Sequence, residues 1–155
     1  MSVNANLQQK QRGRDVTDDE RRVLNREIAE LAGYTVQKVD GGTWGQAYAL
    51  FLPNGGRWLN PSALWNTTPA FNLESQAWAC APDFVRDLGF TTAMFAGRRW
   101  TFSAEIDDSD PDCLEYVVWV ETDTPPEYSG RSPLDWQEAA AIALRNALKA
   151  KASQS

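Results

Sequence analysis

The sequence predicts an α+β domain, a layered sandwich in which three helices lie against a mainly antiparallel sheet of about five to six strands. Two segments, near 17–32 and 132–150, set the first and last helices by placing apolar residues at steps of three and four behind helix-start signals. The sheet is set by runs of alternating apolar and polar residues between them, joined by turns rich in Gly, Asn and Pro. A chain of 155 residues, 43% of them hydrophobic, is one domain by size and carries enough apolar surface for a core. That domain is expected over residues 16–152. Residues 1–15 lack apolar periodicity and aromatic side chains and read as a disordered tail.

The first helix opens on Thr17-Asp18-Asp19-Glu20, a capping box in which Thr17 accepts from the Glu20 amide and Glu20 reaches back. Leu24, Ile28 and Leu31, with Val23 beside them, form its apolar stripe, and Gly33 stops it in a left-handed conformation. Tyr34–Val39 and Gln46–Leu52 read as strands about an Asp40-Gly41-Gly42 turn. Pro53-Asn54-Gly55-Gly56 turns the chain again, with Arg57–Leu59 as a short returning strand and Asn60–Phe71 as an ordered loop.

Asn72 caps a second helix running to about Leu88 and closed by Gly89, with Ala77, Trp78 and Phe84 on its buried face. Pro82 inside it predicts a kink or a split into two short helices. Thr91–Ala96 and Arg98–Ile106 read as a hairpin turning at Gly97, with Trp100, Phe102, Ala104 and Ile106 on one side of its second strand. Leu114–Thr122 follows, with Leu114, Tyr116, Val118 and Val120 on one face and Val117 and Trp119 on the other. Both faces should therefore be covered, by helices or by a partner subunit. Ser132-Pro133-Leu134-Asp135 opens the last helix, with Ser132 as its cap and proline in the first turn. Trp136, Ala140, Ala143, Leu144, Ala147 and Leu148 share one side, where the alanines let it lie close to a sheet or another helix.

The composition narrows the chemistry. Without histidine, no Ser-His-Asp or Cys-His arrangement can be written and no imidazole can hold a metal. Cys80 and Cys113 are too few for a four-cysteine zinc site or a disulfide framework. No enzymatic activity, catalytic residue, cofactor or metal is expected. Asp108-Ser109-Asp110-Pro111-Asp112 has the start of a calcium loop, but Cys113 and Trp119 stand where that loop needs Gly and Glu, so an exposed turn is the better reading. Gly41-Gly42-Thr43-Trp44-Gly45 lacks the lysine or following helix of a phosphate cradle and also reads as a turn.

The formal charge is −6, and residues 32–135 hold six bases against fourteen acids, a balance of −8. Nine acids and no Lys or Arg lie between Trp100 and Gly130. DNA and RNA are not expected as partners of such a surface. No apolar run approaches the roughly 20 residues of a membrane span, and residues 1–14 lack the apolar stretch of a signal peptide. With two thiols suited to a reducing compartment, the cytoplasm is the expected location and no membrane partner is expected.

Three pieces resemble one known family. They are Asn25-Arg26-Glu27-Ile28-Ala29-Glu30-Leu31 leading to Gly33-Tyr34; Pro69-Ala70-Phe71-Asn72-Leu73 with Ala77-Trp78; and Ser132-Pro133 leading to Ala140, Ala143, Leu144, Arg145, Ala147, Leu148 and Lys149. In that order and spacing, over about residues 20–150, the chain resembles the phage ABA-sandwich domain family of small phage and prophage proteins. The resemblance implies a sheet layered with helices, a phage or prophage origin and a bacterial host cytoplasm. It brings no catalytic site. Some small phage proteins of similar layout sequester cyclic nucleotide signals of bacterial immune systems, which makes counter-defence by nucleotide capture the expected role.

The residues expected to bind such a ligand are aromatics with nearby arginines: Trp44, Arg57, Trp58 and Trp65 in loops or short strands, and the pair Arg98 and Arg99 beside Gly97. Indoles can stack bases and guanidinium groups can hold phosphates. Trp78, Trp100 and Trp136 fall on apolar stripes and read as core. The competing expectation is an interaction module that binds a host or phage protein through an acidic, aromatic surface. A homo-oligomer is expected in either case, since small sheets often bury a face by self-association.

Overall fold

The computed structural model describes residues 18–41, 45–58 and 70–154. The expected tail, Val16, Thr17, residues 42–44, Leu59 of the expected short strand, residues 60–69 of the expected loop and Ser155 lie outside them. Helix α1 (18–32) buries Leu24, Ile28 and Ala29, while Val23 points to solvent rather than joining the stripe. Gly33, at φ 104°, ends it. The Tyr34 amide donates to the Ala29 carbonyl (3.0 Å) and the Gly33 amide to the Glu30 carbonyl (3.1 Å), the paired bonds of a Schellman end. The chain enters β1 (Thr35–Asp40), which pairs antiparallel with β2 (Gln46–Phe51) from Thr35↔Phe51 to Asp40↔Gln46. Gly55 takes φ 87° in the following turn, but Arg57 makes only an isolated bridge to Phe51, so the described residues hold no third strand here.

The middle of the chain departs from expectation. Helix α2 is short, Glu74–Trp78, and its cap is Leu73 rather than Asn72. A turn through 79–86 follows, so Pro82 splits the expected helix, and α3 covers Leu88–Gly97. The Asp87 side chain accepts from the Gly89 amide at 2.9 Å and caps α3. Gly89 therefore lies in the first turn of a helix instead of closing one, and Thr91–Ala96 is helical, not a strand. Its threonines and phenylalanine favour strands locally. Thr91 and Phe95, one turn apart, are nonetheless both fully buried, and Thr91 Oγ1 donates to the Phe84 carbonyl at 2.8 Å. Tertiary burial outweighs local preference. The reversal after α3 falls at Arg99 (φ 59°), not Gly97, with the Trp100 amide donating to the Phe95 carbonyl at 2.9 Å.

The second sheet is antiparallel, in the order β3 (Thr101–Asp107), β4 (Glu115–Glu121), β5 (Tyr128–Ser132). Strand β5 has the composition of a turn, and tertiary contact makes it a strand. A Cβ on Gly130 would collide with the Ala139 carbonyl oxygen and the Ala143 nitrogen and lie 2.9 Å from the Ile142 Cβ. Helix α4 (Trp136–Gln154) thus rests directly on β5 and also contacts β4 and α3, and its alanines 139, 140, 143 and 147 are buried with Leu144. The cap of α4 is Asp135, whose Oδ1 accepts from the Glu138 amide at 2.8 Å. Ser132, the expected cap, is the last residue of β5, and its Oγ accepts from the Leu134 amide at 3.0 Å.

Val118 and Val120 of β4 join the core beneath α4. The other face of β4 is screened by long side chains of its own sheet. The Arg131 guanidinium crosses β4 to Asp107 (2.7 Å) beside buried Val117, and the half-buried Trp119 donates from Nε1 to Glu105 (2.9 Å). The architecture is α+β, but the described residues hold four helices and five strands in sheets of two and three, instead of three helices on one sheet of five to six. Among the described residues no helix is long and apolar enough to cross a membrane.

Candidate functional site

One side chain ties the turn between α2 and α3 to α1. Asn25 Oδ1 accepts from the amides of Phe84 (2.6 Å) and Val85 (3.3 Å), and Asn25 Nδ2 donates to the Pro82 carbonyl (3.0 Å). These bonds satisfy backbone groups left without helical partners where Pro82 breaks the helix. Between α1, α2 and the pinned turn runs a groove of about 470 Å³, within the size range of small-molecule clefts.

Arginine supplies its charge. Arg22 and Arg26, one turn apart on α1, line it with Arg86 of the turn and with Arg21, against the acids Asp18 and Asp83. Arginines outnumber acids in the lining, although Asp19, Glu30 and Glu74 pair with Arg22 and Arg26 from just outside it and Arg21 turns to Asp135 and Glu138. Trp78 adds an aromatic face. The Arg26 guanidinium carbon lies 5.0 Å from its ring centroid, and the indole Nε1–H is buried with no acceptor among the described residues. An unsatisfied buried donor costs about 1–3 kcal/mol, which an acceptor reaching it would offset.

The arginines have partners that an incoming anion can outcompete. Arg22 meets Asp19 at 3.5 Å, Arg86 meets Asp18 at 3.8 Å, and Arg26 meets Glu30 at 2.8 Å and Glu74 at 3.8 Å. All are solvent-exposed pairs, each worth roughly 0–1 kcal/mol. Phosphate binds guanidinium groups bidentately and more strongly.

A second groove, about 480 Å³ between α1 and α4, has the opposite character: Asp19, Glu20, Glu27 and Glu138 face Arg21 and Arg145. Its ion pairs join the two helices. Arg21 reaches Glu138 (2.9 Å) and Asp135 (3.3 Å), and Glu27 lies 3.7 Å from both Arg145 and Lys149. The hydrogen bond to Glu138 raises the pKa of Arg21 above its ordinary value, against the opposing effect of burial. Acids outnumber bases in this lining, the reverse of the first groove. Among the described residues no cluster of three or more His, Cys, Asp or Glu could hold a metal. The Cys80 thiol, one turn from Gln76 and bonded to its carbonyl at 3.7 Å, is pushed up in pKa by burial, which weakens it as a nucleophile.

Trp44 and Trp65 lie outside the described residues. Trp58 is half-buried against the core, its amide donating to the Leu50 carbonyl at 2.9 Å, and the Arg57 guanidinium stands 5.8 Å from the Phe51 ring centroid. Arg98 stands 5.6 Å from the Trp100 ring centroid, with its pKa lowered by burial, and Arg99 occupies the left-handed position that ends α3. No hydrogen bond, ion pair or ring contact joins Arg57 and Trp58 to Arg98 and Arg99 among the described residues, and none of the four lines either groove. Trp78, read as core, packs half-buried against the core as expected and also lines the arginine groove. Its signal in the sequence is the spacing of Arg22 and Arg26 opposite the buried stripe of α1.

No family model matches the chain, and no curated protein or solved structure matches it.

Proposed function

We propose that the protein binds a small anionic, nucleotide-type ligand in the α1–α2 groove without transforming it, and that it serves a phage or prophage as a cytoplasmic counter-defence protein by sequestering a nucleotide immune signal. The observation that carries the binding is the joining of Arg22, Arg26 and Arg86 to the Trp78 face in one cleft. Phosphate chemistry and a flat base are what such a set recognises, with stacking on an aromatic or guanidinium plane worth about 1–3 kcal/mol per base. The phage setting is supported by the resemblance of the three motif segments to the ABA-sandwich family. The site differs from the arginine and tryptophan set singled out from sequence, because Arg57, Trp58, Arg98 and Arg99 stand apart from the cleft.

A thermal-shift and calorimetry screen of linear and cyclic nucleotides, with inorganic phosphate as control, tests the reading. Saturation at about 100 times Kd adds roughly 2.7 kcal/mol to stability. Arg22→Ala/Arg86→Ala should abolish that gain while leaving the free protein folded, since both side chains are largely exposed. If no nucleotide stabilises the protein, or if the double variant responds as the wild type does, the binding reading fails.

A second reading has its own observation. Glu105, Asp107, Glu115 and Glu121 share the outer face of the second sheet with Trp119, an acidic, aromatic surface suited to a basic region of a host or phage protein. Glu115→Lys/Glu121→Lys should abolish such an interaction and leave nucleotide binding untouched. Arg22→Ala/Arg86→Ala should do the reverse.

A further inference from the structure

Strand β3 is the edge of the second sheet. It pairs with β4 in an unbroken register from Thr101↔Glu121 to Asp107↔Glu115 and has no other strand beside it among the described residues. Every residue from Thr101 to Ile106 is exposed. Phe102, Ala104 and Ile106 lie on the face that carries Val120, Val118 and Tyr116 in β4, the face α4 buries farther across the sheet. Phe102 is 49% and Ile106 is 54% exposed. Natural sheets protect such an edge with proline, lysine, a bulge or a covering element. Strand β3 has no proline, lysine or bulge, and its two acids are engaged within the sheet, Glu105 by Trp119 and Asp107 by Arg131.

We infer that a second copy of this chain covers the edge, with β3 pairing antiparallel to its counterpart about a twofold axis at Ala104, so that two three-stranded sheets become one of six strands. The strand is self-complementary in that register. Phe102 faces the partner's Ile106, and Ala104 faces the partner's Ala104. On the other surface Thr101 faces the partner's Asp107, and Ser103 faces the partner's Glu105. Apolar groups meet apolar groups, and each carboxylate meets a hydroxyl, the arrangement that stabilises cross-strand pairs. Neighbouring registers that preserve the two faces are worse. Centring on Ser103 leaves Ile106 unpaired, and centring on Glu105 sets that carboxylate against itself. An isologous contact of this kind closes at two subunits.

Light scattering or sedimentation over a concentration series should give twice the 17.3 kDa chain mass. Ile106→Lys, which faces a charge towards Phe102 of the second copy, should raise the dimer dissociation constant by roughly tenfold or more with an unchanged circular dichroism spectrum. For register, residues opposite each other across an antiparallel pair have Cα atoms about 4.5–5.5 Å apart, within disulfide reach. In a Cys80→Ser/Cys113→Ser background, Ala104→Cys should cross-link to dimer on mild oxidation. Thr101→Cys, at opposite ends of the paired strands in the two copies, should not. A monomer mass at every concentration overturns the inference, even if the edge binds a foreign strand. So does a dimer that survives Ile106→Lys, or one in which Thr101→Cys cross-links as readily as Ala104→Cys.

Discussion

Replacing Gly130 by alanine should cost about 3 kcal/mol or more. Overpacking in a core costs roughly 1–3 kcal/mol when side chains can shift to make room. At Gly130 the obstacles are the backbone of α4 itself, the Ala139 carbonyl oxygen and the Ala143 nitrogen, with the Ile142 Cβ at 2.9 Å behind them. The added methyl can be housed only by lifting α4 from β5, which loosens Ala143, Leu144 and Ala147, all fully buried. For a domain of this size 1 kcal/mol corresponds to about 2–4 °C in melting temperature, so the fall should be roughly 6–12 °C. Urea denaturation should show a lower midpoint at an unchanged slope. Trimming Ile142 to alanine in the same variant should not rescue it, because the clash with the helix backbone remains. Gly97→Ala is the control: a Cβ there meets nothing within 4 Å, and a helical position gains up to about 1 kcal/mol from the change. A Gly130→Ala protein within about 0.5 kcal/mol of wild type would mean that α4 does not lie on β5 in this way.

Asn25→Ala removes three hydrogen bonds to the 82–85 turn and should cost about 2–4 kcal/mol in urea denaturation; Asn25→Asp keeps the acceptor but turns an oxygen towards the Pro82 carbonyl and should fall between. An unchanged midpoint in both would refute the pinning role. Arg99→Gly should stabilise by up to about 1 kcal/mol, because φ 59° suits glycine better than arginine, and a lower melting temperature would count against that. The Asp107 carboxyl is held well below the usual carboxylate range by the Ser109 hydroxyl, then by Arg131 and the Ser109 amide. Its contribution to stability is therefore full above the ordinary carboxylate pKa of about 3.9 and lost as pH falls through the depressed folded value. Side-chain NMR titration should find that depression, and Ser109→Ala should move the midpoint upward; an ordinary midpoint in the wild type would refute it.

Where one local signal settles an element, the sequence announces it. Gly33 ends α1, the glycine turns frame β1 and β2, and the alternation of Tyr116, Val118 and Val120 marks β4. The misread Thr91–Ala96 and the strand at Tyr128–Ser132, which no local signal announced, depend on contacts distant in sequence or concealed by composition. The strand-like Thr91–Ala96 becomes helical because Asp87 caps it and Thr91 and Phe95 find a core. The turn-like Tyr128–Ser132 becomes a strand because α4 needs a glycine beneath it. The arginine groove is less legible still. Arg22 and Arg26 look like any solvated helix face, and Trp78 like a core residue, until Asn25 draws in a turn 57 to 60 positions away and makes a cleft of them.

The ties between α1 and α4 also bear on the order of folding. Arg21 is bonded to residues 114 and 117 positions further along the chain, so during synthesis α1 leaves the ribosome long before its neighbour exists. An isolated helix of this length is marginal in water, but Asn25 can dock α1 on the 82–85 turn before α4 is made. Strands β3, β4 and β5 and helix α4 are contiguous in sequence and make contacts of short range, the kind that form fast. Helix α1 therefore gains its partners in two stages, the 82–85 turn first and the Arg21 ion pairs to Asp135 and Glu138 afterwards.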